Sequence, residues 1–331
     1  MWWRSVIFNA MAAGILVTAA THAVWLLLWL TGKIVGLRIQ YAWCGWTALT
    51  LLLFIWGVFA YGHLWGRYQM ETTRITYTHP SLPKAFCGTK VMHISDLHVD
   101  SFHDKPEALG RLVDAVNAED ADIICFTGDM TTGPFHEIMP FIPTLKRLHA
   151  KDGVVSIMGN HDFFIYSREY HNDRERSDAA DRLTHLEEDS LGWHVLRNSA
   201  MILRHGEDSI AVAGVDNING NDGFATIQKG DLHKALEGLG NIFTILLTHD
   251  PSHWRAEVLP RSNAQLTLSG HTHAAQFRIF GWSLANLFFN ECDGRYDEGG
   301  RTLYVNAGLG CTAPLRVGCP SEITVITLGE R

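Results

Sequence analysis

From Ser5 to Gly66 the chain has no acidic residue and only two basic ones, Lys33 and Arg38, which excludes an ordinary water-facing surface there. Most of the 27 lysines and arginines and the 35 aspartates and glutamates lie beyond Arg67. Cysteine is sparse too. Of six cysteines, Cys87, Cys125, Cys292, Cys311 and Cys319 fall in the charged part, with no Cys-x-x-Cys spacing. That excludes a compact disulfide framework, argues against cysteine metal ligation and suits free thiols in a reducing compartment. An excess of basic residues is also missing: the formal net charge is −8, which argues against a general nucleic-acid-binding surface. No repeat of solenoid period and no long low-complexity segment occurs.

Two apolar runs, about Val6 to Leu30 and about Tyr41 to Leu64, fill the uncharged stretch. Each exceeds the roughly 20 residues a helix needs to cross a bilayer core. Eight of the eleven tryptophans, Trp2, Trp3, Trp25, Trp29, Trp43, Trp46, Trp56 and Trp65, lie here, mostly toward run ends, where an amphipathic ring sits at headgroup level. The small residues Thr18 to Ala23 imitate a signal-peptide cleavage site, but the apolar run resumes at once at Val24, against removal. The expectation is a transmembrane helical hairpin over 1–66, with Asn9 and His22 facing the partner helix or the interface. Two spans return the chain to its starting side. Arg4, the amino terminus, Arg67 and Arg74 compete with Lys33 and Arg38, and the balance favours a cytoplasmic domain by a narrow margin of charge.

A linker is expected over 67–88, with Pro80 and Pro83, and a large domain over 89–331. Short apolar runs bounded by Gly, Asp and Asn predict strands at Val91–Ile94, Ile123–Phe126, Val154–Met158, His194–Arg197, Ile210–Gly214, Phe243–Leu247, Gln265–Leu268, Thr302–Val305 and Ile323–Leu328. Helices are predicted over Pro106–Ala118, Ile138–His149, Ser167–Ser190 and Lys229–Leu239. This alternation is that of α/β layers, in which ligands bind beyond the carboxyl ends of strands.

Those ends carry the polar residues. Asp96-Leu97-His98, Thr127-Gly128-Asp129, Gly159-Asn160-His161-Asp162, Leu247-Thr248-His249-Asp250 and Gly270-His271-Thr272-His273 each follow an apolar run. Taken singly, each Asp, His or Asn suits a turn or a cap. Jointly they supply enough donors for a metal centre. Asp96 and His98, at i and i+2, can aim at one ion, and a bridging Asp129 can place a second about 3.5–4 Å away.

In that order, Asp-x-His, Gly-Asp, Gly-Asn-His-Asp, a lone strand-end His and Gly-His-x-His resemble the calcineurin-like metallophosphoesterases, over about Lys90 to Leu328. The resemblance implies an α/β fold, a four-layer αββα sandwich, preceded here by the helical hairpin. It implies that Asp96, His98, Asp129 and His273 hold one metal, and Asp129, Asn160, His249 and His271 the other. His161 matches the histidine that contacts the phosphate or protonates the leaving oxygen, with Asp162 behind it. Such ions ionise water near neutral pH and neutralise phosphoryl charge. The donor set suits two divalent ions, manganese, iron or zinc. Met130, Thr131 and Thr132 after Asp129 leave no tyrosine of the kind that ligates ferric iron in purple acid phosphatases.

The tryptophan-rich spans, His249-Asp250-Pro251-Ser252-His253-Trp254, and Asn306-Ala307-Gly308-Leu309-Gly310 followed by Pro320-Ser321-Glu322-Ile323-Thr324 resemble the bacterial membrane-attached branch. The expectation is therefore an inner-membrane phosphoesterase acting on a lipid-linked phosphodiester or pyrophosphate. The UDP-diacylglucosamine pyrophosphatases resemble this catalytic pattern. Soluble nucleotides or phosphoproteins, or a non-catalytic scaffold role, are the alternatives, and the sequence has no recognisable peptide-binding element. The apolar stretch Gly281–Phe289 either docks acyl chains or the bilayer, or packs its rings into the sheet edge. Arg168, Arg174, Arg176 and Arg182 lie in a mixed-charge run, a solvated helix face from which one arginine could reach a phosphate.

Overall fold

The computed structural model describes residues 2–219 and 227–329 and, of residues 2–5, the backbone alone, so the side chains of Trp2, Trp3 and Arg4 lie outside the described ones. The chain divides into two compact units. One comprises Met1–Tyr68 and Ala313–Gly318, the other Gln69–Thr312 and Cys319–Arg331.

The first unit is built on helices α1 (Trp2–Val35) and α2 (Tyr41–Leu64). Phe8, Leu16, Leu27, Trp43, Trp46 and Phe54 stand exposed around them. Helices apolar on every side need apolar surroundings. Both are long and apolar enough to cross a membrane. They meet antiparallel: His22 Nε2 lies 2.7 Å from the Tyr41 hydroxyl, and the Trp56 indole N–H donates to the Ala10 carbonyl at 3.3 Å. His22 thus faces the partner helix. Segment Ala313–Gly318 packs on the end of α2, where His63 Nδ1 donates to the Pro314 carbonyl at 2.6 Å.

The second unit contains two six-stranded sheets. The first holds β1 (Met70–Thr78), β2 (Lys90–Ile94), β3 (Ile123–Phe126), β4 (Val154–Ser156) and β5 (His194–Val195). The second holds β6 (Ser199–His205), β7 (Asp208–Gly214), β8 (Thr244–Leu247) and β9 (Leu266–Ser269). A small hairpin, β10 (Arg278–Ile279) and β11 (Trp282–Ser283), precedes β12 (Gly294–Glu298) and β13 (Arg301–Val305) of the second sheet, and β14 (Ser321–Gly329) returns to the first. The orders are β1-β14-β2-β3-β4-β5 and β12-β13-β9-β8-β7-β6. Strands β2 to β5 run parallel, as do β7, β8, β9 and β13.

Period-two alternation explains the layering. On β8, Ile245 and Leu247 join Val91, Cys125, Val155 and Val212 in the core between the sheets. Leu246 of the same strand points the other way, into a cluster with Trp254, Val258 and Leu303. Helix α3 (Pro106–Ala118) starts with proline at its first position and buries Leu109, Leu112, Val113 and Val116, one face at helical spacing.

The expected linker is corrected over Met70–Thr78. Its β-branched residues form β1, which pairs in parallel with β14 from Met70↔Ser321 to Thr78↔Gly329. As an outer strand it tolerates the polar residues that made it look like a tether. The helix expected over Ile138–His149 is a 3-10 segment, Phe135–Phe141, followed by the short α4 (Ile142–Leu145). Pro140 and Pro143 remove the donors a continuous helix needs. The run expected as helix from Ser167 starts only at α5 (Asp173–His185), where Asn172 caps the N–H of Glu175 at 2.9 Å. Arg176 pairs with Asp173, and Arg182 lies over the Phe135 ring. The helix expected over Lys229–Leu239 contracts to α6 (Leu232–Ala235).

Beneath the first sheet, Glu187 is fully buried and accepts from the Ser156 hydroxyl at 2.5 Å. Burial, followed by the nearby charge of Asp162, pushes its carboxyl up to about 8. The folded state therefore keeps a proton that the unfolded chain releases near the ordinary glutamate value of about 4.3, and stability falls as pH rises through that window. Glu187→Gln is expected to raise the melting temperature at pH 8.5 while leaving it nearly unchanged at pH 5. The scale is about 1.4 kcal/mol for each unit between the two values. Equal shifts at both pH values would show that no proton is held there.

Candidate metal centre

The carboxyl ends of five parallel strands deliver the donors. Asp96 and His98 follow β2, Asp129 follows β3, and Asn160 and His161 follow β4; His249 follows β8, and His271 and His273 follow β9. Five of these residues adopt left-handed backbone: Asp96 (φ 52°), His98 (40°), Asp129 (61°), His271 (73°) and His273 (50°). Such conformations cost on the order of 1–3 kcal/mol each and persist only where the surroundings enforce them. Cross-loop hydrogen bonds do so here: Asp96 N–H to Gly128 O at 2.9 Å, His98 N–H to Asp129 O at 3.0 Å, and Gly270 N–H to His249 O at 3.0 Å.

Two glycines let the loops close. A methyl group on Gly159 would overlap the Asp129 carboxylate, and one on Gly270 would overlap the Asp96 carboxylate and the Ser95 hydroxyl.

The imidazoles are oriented by backbone carbonyls. A carbonyl only accepts, so His98 Nδ1 donates to Thr131 O (3.0 Å) and His249 Nδ1 to Thr127 O (2.7 Å). Each Nε2 then presents a lone pair to the centre. His273 Nε2 lies 3.2 Å from Asp96 Oδ1 and 3.1 Å from His98 Nε2. Asp129 Oδ2 lies 3.5 Å from His98 Nε2 and 3.1 Å from His249 Nε2. His271 Nδ1 lies 2.9 Å from Asn160 Oδ1, and His271 also donates its backbone N–H to Asp96 Oδ2 at 3.0 Å. Three donor groups draw within 4.8 Å: Asp96, His98 and His273; His98, Asp129 and His161; Asp129, His249 and His271. All eight residues singled out in the sequence meet at one place.

These donors suit metal binding. His249 Nε2 is buried and lies 3.1 Å from Asp129 Oδ2, a pairing that either a proton or a metal cation satisfies. Without a metal, burial opposes charge on His249, but Asp129 and Asp96 prevail and push it up to about 10. Burial likewise opposes the charge on Asp129, and His249, His161 and His98 outweigh it, holding its carboxyl well below the usual carboxylate range. His98 goes the other way: burial lowers it to about 3, which keeps the ring neutral, the form that coordinates metal.

Asp162 does not orient His161. Its carboxylate accepts from the backbone N–H groups of Asp129 (2.7 Å), Met130 (2.9 Å), Thr131 (3.2 Å) and Gly159 (3.0 Å), tying two ligand loops together. His161 is held instead by the Thr132 carbonyl, to which Nδ1 donates at 2.8 Å, and its own N–H donates to Asp129 Oδ1 at 2.9 Å. That leaves Nε2 for a ligand.

Residues 89–275 match the family model described as calcineurin-like phosphoesterase. The chain belongs to this family. The metallophosphoesterase YkuE of Bacillus subtilis is 30% identical over 280 residues, covering 82% of this chain and 90% of that protein. A transmembrane protein with metallophosphoesterase domain from Bos taurus is 29% identical over 75% of this phosphoesterase, which spans only 54% of that longer protein. UDP-2,3-diacylglucosamine pyrophosphatase LpxG of Chlamydia trachomatis is 26% identical over 322 residues, covering 84% of this chain and 94% of that one.

The phosphoesterase site also contains residues outside the expected ligand set. The Tyr166 ring lies 4.4 Å from that of His161, and its hydroxyl accepts from Asn160 Nδ2 at 3.2 Å. Asp250 Oδ2 lies 3.6 Å from His271 Nε2. The Phe289 ring sits 5.8 Å from that of His271. Asp250 adjoins a motif histidine and was within reach of inspection; a tyrosine in an irregular loop carries no comparable sequence signal.

Proposed function

We propose that the chain is a membrane-anchored, dinuclear-metal phosphoesterase that hydrolyses a phosphodiester or pyrophosphate bond in a lipid-linked substrate, on the cytoplasmic face of a bacterial inner membrane. The observation that carries this is the set of inward-facing imidazole and carboxylate donors, fixed by carbonyls and shared through Asp129. Asp96, His98, Asp129 and His273 hold one cation, and Asp129, Asn160, His249 and His271 the other. Bound there, manganese, iron or zinc supplies the Lewis acidity that ionises water and offsets phosphoryl charge.

The protein supplies the rest. Asp129 would be the ligand shared by both cations. His161, anchored at Nδ1 by Thr132, offers Nε2 to the phosphoryl group or the leaving oxygen. Two spanning-length helices support the membrane anchor, and the LpxG relative, a pyrophosphatase of a diacylated sugar nucleotide by its name, supports a lipid-linked pyrophosphate as the substrate class.

The test is hydrolysis of bis-p-nitrophenyl phosphate by detergent-purified protein, stripped of metal and then given manganese or zinc. Metal-restored turnover is expected; a protein that binds no metal would end this proposal. His161→Gln is expected to retain both metals while losing roughly 100-fold or more in turnover. If His161 protonates the leaving oxygen, the loss is largest for alkyl phosphodiesters, whose leaving groups need a proton, and smallest for p-nitrophenyl esters. Equal loss on both would assign His161 to phosphate binding instead.

A further inference from the structure

The stretch Gly281–Phe289 does not pack into a sheet edge. It overlaps the hairpin β10–β11, which starts five residues after His273, and hairpin and following turn present Ile279, Phe280, Trp282, Leu284, Leu287 and Phe288 to solvent. Phe280, at the tip, is 105% exposed, and Leu287 and Phe288 are 66% and 63% exposed. A soluble surface rarely leaves so many large apolar side chains uncovered together.

Hydrogen bonds hold the display. Ser283 caps the turn through Ala285 N–H (3.0 Å), its own N–H meets Asn286 Oδ1 (3.0 Å), and its hydroxyl donates to the Ala274 carbonyl beside the last ligand. Ala285 is buried beneath. Half-buried Phe289 then carries the apolar surface to the edge of His271.

Charge selects the occupant. In a chain of net charge −8, residues 274–290 contain no acidic residue and one basic one, Arg278. Phe and Trp on a short hairpin free of acidic residues match an interface of headgroups and acyl chains, and its one charge, Arg278, is already paired with Glu71 and Asp293. The chain also brings its own membrane segment: five residues, 65–69, separate α2 from β1. We propose that this hairpin inserts into the surface of the bilayer that α1 and α2 span, so that a lipid-borne phosphate enters the metal centre past Phe289. This rests on the membrane-anchored function proposed above, but not on its chemistry.

The test uses full-length protein in vesicles of phosphatidylethanolamine and phosphatidylglycerol. A nitrobenzoxadiazole label is placed at Phe280→Cys, at Glu207→Cys on the exposed β6–β7 turn, or at Leu27→Cys within α1, each in a Cys87→Ser background, since the other native thiols are buried. Melting temperature checks that each variant is folded. The label at 280 is expected to be quenched by nitroxide-bearing lipid at least about threefold more than at 207, with iodide ranking them in reverse. Iodide access at 280 equal to that at 207 would overturn the proposal, as would shielding from both quenchers, which means a protein partner or second copy covers the hairpin. Lipid quenching at 27 reports the anchor separately, so loss of the hairpin contact and loss of the anchor give different patterns.

Discussion

Asp129→Ala is expected to lower metal-dependent hydrolysis of bis-p-nitrophenyl phosphate by about a thousandfold or more, and bound metal from two ions per chain toward one or none. The size follows from the position of the side chain. Oδ2 faces His98 and His249, one from each proposed metal set, while Oδ1 accepts the backbone N–H of His161. One substitution therefore removes the shared ligand and loosens the loop carrying the candidate acid. It also takes away the anion that faces a buried His249, so melting temperature is measured alongside. Metal content by mass spectrometry, next to turnover, separates these effects. Full metal occupancy with lost activity would mean that Asp129 acts on the substrate rather than between the ions.

Gly159→Ala is the second large effect, and it changes no donor atom. The added methyl group would overlap the Asp129 carboxylate and crowd the Asp129 backbone N–H, which Asp162 holds from the other side. Neither a buried backbone held by Asp162 nor a carboxylate that accepts the His161 N–H can yield cheaply. Metal affinity is expected to fall roughly 10- to 100-fold, as it does when groups that orient a ligand are disturbed, with a lower melting temperature. Excess manganese should restore much of the activity, unlike in Asp129→Ala. Unchanged affinity would show that the two loops are free to separate.

Why the ligands were legible and parts of the frame were not comes down to local pattern. Asp96, His98, Asp129, Asn160, His249, His271 and His273 each sit two to five residues past a short apolar run, so strand ends and site marked one another. The helix Pro106–Ala118 carried both a start signal and a clean apolar stripe, and it stands at those bounds. Strand Met70–Thr78 had neither alternation deep enough nor flanks distinct enough, because an outer strand is specified by its partner, Ser321–Gly329, some 250 positions away in the chain. Strands Ser199–His205 and Gly294–Glu298, also at sheet edges, were missed for the same reason. The role of Asp162 was hidden as well: its partners are backbone N–H groups of another loop, and no side-chain pattern records those.

The left-handed backbone of Asp96, His98, Asp129, His271 and His273 sets folding against catalysis in this chain. At each of those positions glycine would relax the main chain and delete a donor at the same stroke. Laboratory selection for heat resistance alone, with no demand for turnover, should therefore drift toward glycine at these five sites and arrive at a hardier protein that is no longer an enzyme.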